Sequence, residues 1–130
     1  MPDSPTPPDA LTRWCEEARP LFVVTLTFAR HLGSAVRHGD PARAVGAADL
    51  FLKETSDGAY RLLVDSCPEQ EAGPELGAAL AVFRNAAWVC RRLTSEQEAR
   101  PQLVAACVAL LEQGAIHLDR AIKLMGIDTD

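Results

Sequence analysis

Asp9, the pair Asp40-Pro41, the pair Gly73-Pro74 and the run Thr94 to Glu98 each open a stretch in which apolar residues recur at helical spacing. A capping or first-turn residue followed by a 3-4 repeat is how an amphipathic helix is written, and four such units in succession leave a narrow choice of folds. The residue alphabet agrees. Alanine is the commonest residue, Lys53 and Lys123 are the two lysines among many arginines, and aromatic and β-branched residues are sparse. The predicted fold is all-α, an up-and-down antiparallel four-helix bundle forming a single domain over residues 9–127. Residues 1–8 hold four prolines and read as a disordered tail.

Helix 1 is expected from Asp9 as N-cap to His38, with Gly39 as its stop. Leu11, Trp14, Cys15, Ala18, Leu21, Phe22, Thr25, Phe28, Ala29, Leu32, Ala35 and Val36 share its inner face. Pro20 predicts a kink or a break near Glu16 to Arg19, because proline removes a backbone donor and crowds the preceding turn. Asp40 caps helix 2 and Pro41 fits its first turn, so the link to helix 1 is a residue or two and the pair forms a hairpin. Val45, Ala48, Leu52, Thr55, Ala59 and Leu62 face in. Asp49, Lys53, Asp57, Arg61 and Asp65 alternate in sign at four-residue steps as a solvated edge. Ser56-Asp57-Gly58 is a candidate break within that helix, and Pro68 ends it.

Helix 3 is expected to open at Gly73-Pro74-Glu75, with Leu76, Leu80, Phe83, Ala87, Cys90 and Leu93 inward. Helix 4 has two competing starts, a capping box of Ser95 with Glu98 or a first-turn proline at Pro101. Its face reads Val104, Cys107, Leu111, Gly114, Leu118, Ala121 and Met125, and Gly126-Ile127 supplies a left-handed glycine ending. One tetrapeptide, Glu-Ala-Arg-Pro, occurs twice, at 17–20 and 98–101.

A net charge of −5 argues against a nucleic-acid partner, since Arg84, Arg91 and Arg92 are too few to build a basic surface. The acidic, proline-rich start lacks the features of a secretory signal, and the expected compartment is the cytosol. The longest apolar run, Leu21 to Ala29, is about half of the roughly 20 residues that cross a bilayer, so no membrane role is expected. Cys15, Cys67, Cys90 and Cys107 lack CxxC spacing and read as free thiols, with Cys15 and Cys67 brought to one end of the first hairpin. His31 and His38 stand about 10 Å apart along one helix face and cannot chelate one ion unaided. Without a metal-ligand spacing, a phosphate loop or a nucleophile-base set, the expected protein has no catalysis, no metal and no cofactor.

What the core stripe leaves over is more informative. Trp88 points away from the inner face of helix 3, amid Ala78, Ala81, Val82, Asn85 and Val89, and Val23 and Leu26 repeat the pattern on helix 1. A tryptophan in an alanine bed is an interface anchor, which makes this face the candidate contact with a second copy, as a dimer, or with another protein. Small side chains opposite Phe22, Phe28, Phe51 and Phe83 suggest an alternative, a cavity for an apolar small molecule. A second alternative starts from His117, followed by Arg120 and Ala121. A helical histidine with a basic residue three later and a small one four later resembles the short motif of histidine phosphotransfer domains, which are four-helix bundles of similar size. That resemblance implies His117 as phosphoacceptor and Arg120 as phosphate partner.

Overall fold

The computed structural model describes residues 7–55, 61 and 64–126, the side chains of 7–9 excepted. Four long helices carry it: α1 (Pro7–Arg37), α2 (Pro41–Glu54), α3 (Ala72–Cys90) and α4 (Arg100–Met125), the last preceded by a 3-10 turn at Gln97–Ala99. None of the described residues lies in a strand. Backbone at Arg61, Val64 and Asp65 is helical as well, whereas the candidate break at Ser56-Asp57-Gly58 falls outside the described residues.

The helix ends correct several expectations. α1 begins at Pro7, ahead of Asp9, because prolines lack only donors that the first turn leaves unpaired anyway. It also runs unbroken through Pro20. Pro20 and Glu16 are both exposed, so the proline and the residue whose carbonyl it deprives of a partner stand on the solvent side of the helix. Gly39 (φ +65) reverses the chain, and the Asp40 carboxylate accepts from the Arg43 N–H at 3.1 Å, the predicted cap with Pro41 behind it.

α3 starts one residue ahead of Gly73, and its cap comes from further back: Glu69 Oε2 accepts the N–H groups of Glu71 and Ala72. Gly73 lets the chain pass close there, since a Cβ would lie 3.3 Å from the Val64 carbonyl oxygen, a tight contact. At α4 the proline wins over the capping box. Pro101 occupies the first turn, Ser95 Oγ turns back to the Arg92 carbonyl, and Arg100 Nε donates to the Leu93 carbonyl at 3.0 Å to hold the turn. Gly126 (φ +69) ends α4 with its N–H on the Ile122 and Lys123 carbonyls, as the sequence predicts.

Every predicted inward residue among those described is buried or partly buried. At the centre Phe28 stacks on Phe51 (centroids 4.3 Å, planes 11° apart) and takes the edge of Phe83 (6.4 Å, 88°), while Phe22 meets Trp14 edge to face at 6.2 Å. Gly114 makes room for Phe83, for a Cβ there would sit 2.8 Å from the ring. The two buried hydroxyls, Thr25 and Thr55, each donate to the carbonyl one turn back at 2.8 Å. α3 and α4 share the most extensive contact; α2 packs on both α1 and α3, and α1 touches α4 only lightly.

Candidate functional site

Two regions hold the residues singled out from sequence. The first is the outer face of α1, α2 and α3. α3 turns Ala87 and Cys90 inward, so Trp88 is carried outward and keeps 52% of its surface exposed. The Arg91 guanidinium lies over its ring at 5.0 Å and also pairs with Asp49 of α2 at 2.9 Å. Asp49 therefore leaves the predicted charge ladder of its own helix for a cross-helix contact. Both partners are about half exposed, so the pair orients the arginine and contributes under about 1 kcal/mol. Around Trp88, Ala81 and Asn85 are exposed and Ala78, Val82 and Val89 half-buried.

On α1, Val23 is 54% exposed and Leu26 half-buried. Sequence reasoning missed Leu50 of α2, which is 56% exposed and, with Val23, forms the lips of a groove of about 220 Å³. Val24, Phe28, Ala47 and Phe51 line its floor and sides, and Glu54 and His31 belong to its two ends. The signal for Leu50 was its place outside the Ala48-Leu52 stripe, hidden because the charged residues beside it suggested a wholly polar face. The four phenylalanines otherwise pack on one another and on Trp14, and this open space lies on the outer side of Phe28 and Phe51.

The second region joins α3 to α4. His117 is 30% exposed, and its Nδ1 lies 3.1 Å from Glu75 Oε2 on the facing helix. In sequence Glu75 is marked only by its place in the first turn of α3, and 42 positions separate the two residues, so nothing local announces the pair. Arg120 is exposed and lines a broad open cleft with Glu71, Glu75, Pro74 and Lys123, the last already paired with Asp119 at 2.9 Å.

All four cysteines are free thiols. Cys90 and Cys107 are fully buried; Cys107 Sγ donates to the Ala86 carbonyl at 3.9 Å, and the neighbouring Cys107 side chain, then burial, pushes the Cys90 thiol up. Cys15 and Cys67 are half-buried and close enough to interact, as the hairpin predicts, and Cys67 also reaches Met125 Sδ at 4.0 Å. No three His, Cys, Asp or Glu side chains converge as a metal site among the described residues. The stretch Gln97–Met125 is long and apolar enough to span a bilayer by length and composition, a property that the contiguous run Leu21 to Ala29 does not share. Its buried residues Leu103, Cys107, Gly114, Leu118, Ala121 and Met125 form one face, while Val108, Ile116 and Leu124 stay on the surface.

Fold and surfaces define an all-helical chain of four long helices with exposed apolar anchors. No family model, no curated protein and no solved structure matches it.

Proposed function

We propose that this chain is a non-catalytic, cytosolic helical-bundle protein that acts by docking through the outer face of α1, α2 and α3. The observation that carries the reading is Trp88, carried on α3 and half exposed, with Val23 and Leu50 equally exposed on the neighbouring helices. Free tryptophan surface of this kind is costly in water and is what a partner covers first. The up-and-down antiparallel arrangement is part of the proposal. It is supported by the reversed order of contacts: Glu75 with His117, Phe83 with Gly114 and Ala86 with Cys107 between α3 and α4, and Arg84 with Thr55 and Arg91 with Asp49 between α3 and α2. The test is Trp88→Glu. Changed native mass or a changed set of cross-linked partners, with the helical fold intact, is the expected result. An unchanged mass and partner set would remove this face.

One observation favours a second reading, phosphotransfer at His117. With Nδ1 held by Glu75, the ring presents Nε2 as its remaining nitrogen, and Arg120 stands one turn further along α4. A phosphoryl group would leave an acyl phosphate or phosphohistidine donor and form an N–P bond at that nitrogen, with Arg120 pairing its oxygens. Acid-labile label on wild type but not on His117→Gln is the expected result, with slower labelling of Glu75→Gln. Equal labelling of His117→Gln would end this reading.

A further inference from the structure

We infer that the occupant of the α1/α2 groove is Trp88 of a second copy of this chain, and that the second copy's groove receives Trp88 of the first. The inference rests on the docking reading above and names the partner of that face.

Its basis is where the two features lie relative to α2. On one side of α2 its residues Ala47, Leu50, Phe51 and Glu54 wall the groove with α1. On the other side α2 meets α3 through Asp49 with Arg91 and Thr55 with Arg84. Trp88 falls between Arg84 and Arg91 along α3, which sets it level with the stretch of α2 between Asp49 and Thr55. The groove occupies 47–54 of the same helix. Anchor and groove thus stand at the same height on opposite flanks of α2. A two-fold axis running along α2 in the plane of contact exchanges left for right and keeps height, so it places each Trp88 opposite the other copy's groove. This is the self-complementary condition for a closed dimer, and it brings two identical contacts at once.

The chemistry of the two surfaces also matches. The groove offers apolar walls in Val23, Val24, Phe28 and Phe51 and a carboxylate at Glu54. Trp88 brings a ring face and an indole N–H that none of the described residues accepts, with the Arg91 guanidinium beside it. Indole burial against the valines and phenylalanines, with the N–H turned to Glu54 and the Arg91 guanidinium bridging Glu54 and its own Asp49, leaves no polar group of the anchor unpaired. Between the two contacts the outer face of α2 carries Gly46, at which even an added Cβ would meet nothing within 4 Å. Two α2 helices can approach closely there.

The experiment is sedimentation equilibrium on wild type, Trp88→Ala, Leu50→Arg and an equimolar mixture of the two variants, with helicity checked for each. Both positions are more than half exposed, so neither substitution removes core. Wild type is expected to dimerise reversibly, and each variant to weaken the dimer by about tenfold or more. The mixture is expected to regain affinity as a mixed dimer, because Leu50→Arg retains Trp88 and Trp88→Ala retains the groove. Overturning results are a wild type that stays monomeric at every concentration, a mixture no tighter than its parts, or a dimer that ignores both substitutions and is broken by Ile116→Arg on α4. A monomeric wild type whose cross-linked partner set still changes on Trp88→Glu would sink the second copy as partner and leave the docking reading standing.

Discussion

Gly114→Ala separates two effects that usually oppose each other quietly. In the middle of a helix, alanine is favoured over glycine by about 1 kcal/mol. At Gly114 the new methyl carbon would stand 2.8 Å from two atoms of the Phe83 ring and 3.0 Å from a third. Carbon pairs settle at about 3.5–4.0 Å, so ring or helix has to retreat by roughly 0.7–1.2 Å. The ring has little freedom to do so. Phe83 is 1% exposed and its edge abuts Phe28, which is itself stacked on Phe51. Overpacking of this kind costs about 1–3 kcal/mol, and a ring boxed in on its far side belongs at the upper end. Net of the helix gain, Gly114→Ala should lower stability by about 1–2 kcal/mol and Tm by several degrees. In dilute, monomeric protein Gly46→Ala is the control, since no atom of the chain lies within 4 Å of its Cβ and only the helix gain of about 1 kcal/mol operates. Paired urea melts read both. Phe83→Leu in the Gly114→Ala background should cost less than in wild type, a coupling that a double-mutant cycle measures. If Gly114→Ala stabilises the protein as Gly46→Ala does, the Phe83 ring is not seated on α4 and the account of the core is wrong.

Three further outcomes follow from the described geometry. Asp40→Ala removes the acceptor of the Arg43 N–H and should cost about 1 kcal/mol, whereas Asp40→Asn should keep most of it; thermal melts of both decide whether the cap acts as assigned. At dilutions where the protein is monomeric, iodide quenching should act on Trp88 and spare Trp14, which is 4% exposed, so Trp88→Phe removes the quenchable emission; quenching that survives this change would contradict the exposure of α3's outer face. Thiol alkylation of the native protein should reach Cys15 and Cys67 before Cys90 and Cys107, and burial raises both of the former, so their labelling should keep accelerating as pH climbs past the usual thiol range. Early labelling at Cys107 would show that the α3–α4 contact opens.

Periodicity revealed the elements because burial acts on every turn, and the inward stripes of α1, α3 and α4 are the ones found in the core. Ends were harder to read. The tetrapeptide Glu-Ala-Arg-Pro shows why: at 17–20 its proline sits inside an uninterrupted helix, and at 98–101 it opens one. A proline's cost depends on whether the carbonyl it orphans faces water and on what the flanking chain packs against, neither of which is local. The Glu69 cap of α3 lay outside the expected position because a long side chain reaches over the intervening residues. Trp88 was legible as the large residue that the inner stripe of α3 did not use. Its groove was not, for a groove belongs to two helices at once, and the same holds for Glu75 beside His117.

The uneven packing of α1 has a kinetic meaning. Among the described residues its main partner is α2, next to it in the chain, while its contact with α4, at the far end, is slight. Contacts that join nearby stretches of chain require little loop closure before they form, so folding should be rapid, with the α3–α4 pair assembling without waiting for the amino-terminal helix. In the native state the same asymmetry predicts that the amides of α1 exchange with solvent ahead of those in the heart of α3.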